Sequence, residues 1–120
     1  MASSKSLIGE ALDPSDPVPL HEQAAARIRR VIAEGAAKRG DRLPPAMDLA
    51  AVMGVNRNTV LRALRMLREE GLVEFRRGRG VTVAGTPEQG AVLIQARELL
   101  AQAQLHGYGR DELIEIISGL

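Results

Sequence analysis

Gly54-Val55-Asn56-Arg57-Asn58-Thr59-Val60-Leu61-Arg62-Ala63-Leu64-Arg65-Met66-Leu67-Arg68-Glu69-Glu70-Gly71 is the stretch that decides the fold of this chain. Gly54-Val55-Asn56 predicts a tight turn. Asn56 suits the cap of the next helix, because its side-chain oxygen can accept a free N–H of the first turn. That helix is expected from about Arg57 to Glu70 and stops at Gly71, where a left-handed residue ends a helix at no steric cost. At about 100° per residue, Val60, Ala63, Leu64 and Leu67 share one face, which must be the core side. Asn58, Leu61, Arg62 and Arg65 share the opposite face, with Arg68 on its edge.

Upstream, Pro44-Pro45 forbids helix before it, and a short helix is expected from Ala46 to Met53 with Leu49, Ala50 and Met53 inward. Lys38 to Pro45 reads as a loop. Before it, Leu20, Ala24, Ile28, Val31 and Ile32 recur at helical spacing and predict a helix over about 20–35. Downstream, Leu72 to Arg76 alternates like a strand, Arg77-Gly78-Arg79-Gly80 reads as a turn, and Val81-Thr82-Val83 as a second strand. Two helices across a glycine turn, followed by a basic hairpin, make a winged helix-turn-helix. The expected class is therefore α+β, mostly α. In that layout the second helix enters the major groove, and the hairpin lies along neighbouring backbone or minor groove.

Composition narrows the chemistry. Phe75 and Tyr108 are the only aromatic residues, so the core must be aliphatic. With no cysteine there is no disulfide framework, thiolate zinc site or cysteine nucleophile. His21 and His106 are far apart and have no second ligand at metal spacing, so no metal and no cofactor is expected. No nucleophile, base and orienter set stands out, which argues against an enzyme. The first twenty residues lack a signal-peptide run, and no apolar stretch reaches membrane-spanning length, so a cytoplasmic protein without a membrane partner is expected.

The net charge of +1 hides an uneven distribution: residues 1–19 carry −2, residues 20–83 carry +6, and residues 84–120 carry −3. A basic middle between acidic ends points to a polyanion as its partner.

Residues 1–16, which combine Ser, Lys and Gly and lead into spaced prolines at 14, 17 and 19, read as a mobile arm, residues 17–85 as the winged domain, and residues 86–120 as a helical tail. In the tail, helices are expected over about Glu88–His106 and Asp111–Ser118, joined at Gly107-Tyr108-Gly109, with Gly85-Thr86-Pro87 breaking the chain before them. Val92, Ala96, Leu99 and Ala103 line one face of the first helix, with Leu93 and Leu100 beside them. Ile94, Ala101 and Leu105 form a second strip roughly opposite. A helix apolar on two sides needs two partners. Leu113, Ile114, Ile116 and Ile117 crowd the second helix. So small a hairpin cannot bury all of this alone, and a homodimer is expected. The interface would use Val92, Ala96, Leu99, Leu100, Ala103, Leu113, Ile116 and Ile117.

The motifs Pro19-Leu20-His21-Glu22-Gln23, Gly40-Asp41-Arg42-Leu43-Pro44, Leu49-Ala50, Val55 to Val60, Ala63-Leu64, Glu70-Gly71-Leu72-Val73 and Gly78-Arg79-Gly80 stand in order over roughly residues 17–85. In this pattern the chain resembles the GntR regulators, and its short tail is similar to the YtrA-like branch. That resemblance implies a bacterial homodimer binding a palindromic operator in double-stranded DNA, often as a repressor. The pattern departs at Met47 and Leu61, where many members have arginine; the docking mode carries over, the base contacts do not.

Arginine matches guanine O6 and N7, and asparagine matches adenine N6 and N7. Arg62 and Arg65 are therefore expected at base edges. Arg57, Asn58 and Thr59 are expected at the helix start, where N–H groups favour phosphate. Arg77, Arg79 and Gly80 are expected on DNA from the wing. Asn56 serves chiefly as a cap, and Tyr108 as a packing residue. A small-molecule effector would have to be small or bind between subunits, since a drug-sized site needs about 300–1,000 Å³. The competing reading is a winged helix that binds protein or RNA without sequence-specific DNA recognition.

Overall fold

The computed structural model describes residues 7–120. Its elements run α1 (Leu20–Ala33), α2 (Ala46–Met53), α3 (Arg57–Glu69), β1 (Val73–Arg76), β2 (Gly80–Val83), α4 (Pro87–Leu105) and α5 (Arg110–Ser118). The stops are local in origin. Gly54 takes a left-handed φ of 70° after α2. The Asn56 side chain accepts the Asn58 N–H at 2.6 Å to start α3. At the far end Gly71, at φ 79°, lets the Leu72 N–H reach back to the Leu67 carbonyl. Gly85-Thr86-Pro87, expected as a chain break, opens α4: Thr86 Oγ1 accepts the Gln89 N–H at 3.1 Å, and Pro87 occupies the first turn.

The core is aliphatic. Ala24, Ala25, Ile28, Val31 and Ile32 of α1 meet Leu49, Ala50 and Met53 of α2 and Val60, Ala63, Leu64 and Leu67 of α3. Leu43, Leu72, Val73 and Val83 close it from the hairpin side. β1 and β2 pair antiparallel, Val73 opposite Val83 and Arg76 opposite Gly80.

Two expectations need correction. The stretch Lys38–Pro45 is more than a loop. Arg42 pairs antiparallel with Thr82, the Leu43 N–H donates to the Val81 carbonyl, and the Val83 N–H donates to the Asp41 carbonyl, both at 2.8 Å. A short third rung thus braces the outer edge of β2. The described part of the N-terminal arm, from Leu7 onward, is not a free tail. Ile8 and Leu12 are buried in the core, and the Leu12 N–H donates to the Met53 carbonyl at 2.8 Å. Arg27 Nη1 donates to the carbonyls of Ile8 and Glu10. Two apolar side chains with satisfied backbone groups are enough to hold such a segment against the helices. The rest of the expected arm, residues 1–6, lies outside the described residues.

The tail begins on the winged domain. A side chain at Gly90 would meet the Ala33 backbone at 3.3 Å, so α4 crosses α1 there at close range. Leu93 packs against the core one turn further on. Beyond Arg97, which meets Glu70, α4 and α5 project. The radius of gyration of 15.3 Å exceeds the roughly 13 Å of a compact chain this long. Among the described residues no helix is long and apolar enough to cross a membrane.

Candidate nucleic-acid interface

α3 buries Val60, Ala63, Leu64 and Leu67, so its 3.6-residue repeat must turn Asn58, Arg62 and Arg65 outward. All three are exposed, as is Arg57, and Thr59 and Leu61 are half-buried. Arg57, Arg62 and Arg65 are in no ion pair among the described residues. A row of unpaired guanidinium groups on one exposed helix face offers fork-shaped donors to base edges and phosphates.

The wing places Arg77, Arg79 and Gly80 at the exposed end of the hairpin, where Gly78 and Gly80 take left-handed φ values of 78° and 74°. Only glycine adopts these without strain, and the resulting turn holds the two arginines out in solvent. Neither arginine is in an ion pair among the described residues, whereas Arg76 is tied to Glu74 at 2.8 Å.

Two further residues, Arg42 and His21, join this surface. Arg42 reaches Gly80: its Nε would lie 3.4 Å from a Cβ there, which adds to the wing a third exposed cation in no ion pair among the described residues. Its place on a rung beside β2 is a long-range pairing that no local pattern announces. His21, to which the sequence suggests no role, lines an open depression of about 260 Å³ with Leu20, Asn58, Thr59 and Arg62. Met47, in the first turn of α2, is 69% exposed. Arg68 goes elsewhere: its guanidinium stacks 4.7 Å above the Phe75 ring and links α3 to β1.

The residues expected at a subunit interface all lie on the surface of the single chain. Val92, Ala96, Leu99, Ile116 and Ile117 are exposed, and Leu100, Ala103 and Leu113 are half-buried. Tyr108 stands 47% exposed at the α4–α5 corner, where its N–H bonds the Ala103 carbonyl. No group of three His, Asp or Glu residues that could hold a metal occurs among the described residues.

A helix-turn-helix with a cationic outer face, continued into a three-rung basic wing, defines a winged-helix DNA-binding protein. The model of the "bacterial regulatory proteins, gntR family" matches residues 20–83, so the chain belongs to the GntR family and is a DNA-binding transcription regulator. It is 31% identical over 94 residues to the HTH-type transcriptional repressor YtrA of Bacillus subtilis, covering 78% of this chain and 71% of that protein. Among solved structures it is similar to YtrA from Sulfolobus acidocaldarius, a GntR-family transcription factor, at 29% identity and a TM-score of 0.58, over 89% of this chain and 91% of that one. BusR of S. agalactiae, solved in complex with its busAB promoter DNA, shares the fold at 18% identity and a TM-score of 0.55, over 84% and 54% of the two chains. Other curated relatives are far longer, and this chain spans 15% and 16% of two of them.

Proposed function

We propose that this protein is a cytoplasmic repressor that binds a two-fold-symmetric operator as a homodimer. α3 lies in the major groove, with Arg62 and Arg65 at base edges and Arg57, Asn58 and Thr59 at its start on phosphate and the nearest base. Arg77, Arg79 and Gly80 of the wing run along the neighbouring backbone. The observation that carries this reading is the exposed α3 face, where Arg62 and Arg65 are in no ion pair among the described residues and point away from the buried stripe. The apolar surface of α4 and α5 covers itself with a second copy, through Val92, Ala96, Leu99, Leu100, Ala103, Leu113, Ile116 and Ile117. Such a dimer spaces two recognition helices about 34–36 Å apart, or a multiple, along the duplex. An effector, for which a lone hairpin encloses too little space, belongs between the two tails.

Selection of bound duplexes from a random pool by the full-length protein tests the proposal. The expected product is a palindrome held at least about a thousandfold tighter than bulk DNA. Enrichment of no palindrome, or equal binding to RNA and to unrelated duplex, would replace it with the reading of a non-specific interaction module. Repression is read separately, from transcription of a promoter carrying the selected site.

A further inference from the structure

One carboxylate joins the recognition helix to the tail. Glu70 caps the C-terminal end of α3, and its side chain is only 11% exposed. Arg29 of α1, itself buried, grips both of its oxygens. Nη2 donates to Oε1 at 2.9 Å and to Oε2 at 3.1 Å, and Nε donates to Oε2 at 3.3 Å. Arg97 of α4 donates through Nη2 to the same Oε1. Its guanidinium stands half in solvent, so the contact is reached from outside the core.

Gly90, Leu93 and Arg97 recur at spacings of three and four and lie on the α4 face that meets the winged domain. Gly90 and Leu93 lie within one turn of each other, so they fix where α4 crosses the winged domain but hold its direction over a short base. Arg97 stands two turns away, about 10 Å along the axis. Two points fix a direction. The apolar face of Val92, Ala96, Leu99 and Ala103 lies on another side of the same helix and continues past Arg97. Any swing of α4 about Gly90 is therefore carried to the far end of the tail, where the proposed partner sits.

We propose that Arg97 is a positioning residue which, by clipping α4 to the Arg29–Glu70 pair, sets the angle of the tail and hence the spacing of half-sites that the dimer accepts. The inference rests on the dimeric reading above. The Arg29–Glu70 pair completes itself within the winged domain, so removing Arg97 leaves no buried charge alone. What it removes is the distal fixed point of the helix.

The test uses full-length protein and the duplex enriched from a random pool, rebuilt with one or two base pairs inserted between its half-sites or removed from there. One inserted pair moves a half-site by about 3.4 Å and turns it by about a tenth of a turn. Wild type is expected to prefer one spacing sharply. Arg97→Ala should weaken binding at that spacing by about threefold per protomer, hence about tenfold per dimer, and flatten the profile so that neighbouring spacings bind nearly as well. It should still sediment as a dimer and bind an isolated half-site as wild type does. Arg97→Lys, which keeps a charge at the position, should recover part of the preference, and Glu98→Ala, one residue along and unpaired among the described residues, should leave it intact. An unchanged spacing profile in Arg97→Ala overturns the proposal. So does a loss of dimer affinity with the same optimum, since Arg97 would then act on association alone. If wild type itself is monomeric or shows no preferred spacing, the dimeric reading fails and the proposal falls with it.

Discussion

Arg62 and Arg65 stand on the exposed side of α3 with no ion-pair partner among the described residues, so each guanidinium has its full donor set to give. Arg62→Ala or Arg65→Ala should cost about 1–3 kcal/mol at the selected operator and relax preference at one position per half-site. Titration of the variant against the operator and its single-base variants checks both parts, and unchanged affinity and preference would place DNA on another face. Glu70 belongs to a different kind of residue. Its removal strands the buried Arg29 guanidinium, and Glu70→Ala should lose about 3–5 kcal/mol of stability in urea unfolding. Arg97→Ala breaks only the exposed half of the network and should lose about 1 kcal/mol or less. The two classes differ in how legible they are. A helical repeat fixes which side of α3 is wet, so Arg62 and Arg65 follow from the order of residues. Glu70 meets partners 41 and 27 positions away, and nothing local marks those meetings.

The wing works as a unit, because its turn glycines, its third rung and its arginines depend on each other. Gly78 holds a φ of 78° with open space where a Cβ would stand, so Gly78→Ala meets no clash but costs about 1–2 kcal/mol for left-handed backbone. Thermal unfolding reads that strain. Arg77→Ala and Arg79→Ala should each lower affinity on every duplex and flatten the log–log salt slope by about 1 for each phosphate no longer neutralised. A drop confined to one base pair, at constant slope, would assign that arginine to base reading instead. Strand alternation and the glycine-rich tip make the β1–β2 hairpin readable from sequence. The Arg42–Thr82 rung is not readable, since one paired residue before two prolines carries no periodicity. The same limit hid the packing of Ile8 and Leu12, because Leu7-Ile8 and Leu12 are too few apolar residues to set a repeat.

At the scale of the whole molecule, the question is where the winged domain ends. A chain cut after Gly85 gives up the Gly90 crossing, the packing of Leu93 and the Arg97 pair, and so uncovers part of α1. A chain cut after Ala101 keeps all three and sheds the distal tail. Both should sediment as monomers with weak, salt-sensitive DNA binding, and the longer one should melt at the higher temperature. Equal melting temperatures would mean that the start of α4 adds nothing to the domain. Leu99→Asp or Ile116→Asp in the full chain should destabilise the dimer by about 3 kcal/mol or more, because each places a charge inside the proposed interface. Sedimentation across a concentration series measures that directly. A variant that still sediments as the wild type does would move the interface elsewhere.

The order of residues by itself determined the helices, the turn between α2 and α3, the hairpin and the cationic face of α3. Each of these rests on a repeat of 3.6 or 2 residues, or on a glycine, proline or capping side chain acting within one turn. It also determined that α4 has two apolar sides. Which side meets the winged domain was decided only by the tertiary structure, and it is the face of Gly90, Leu93 and Arg97 rather than either apolar strip. A helix wheel ranks faces by polarity, and a face that carries a glycine and an arginine does not stand out on it. The backbone crossing at Gly90 needs a surface on α1 to cross, and the clasp of Glu70 needs α1, α3 and α4 brought to one point. Those conditions exist only once the chain has closed on itself, because they join residues that no local conformational preference connects.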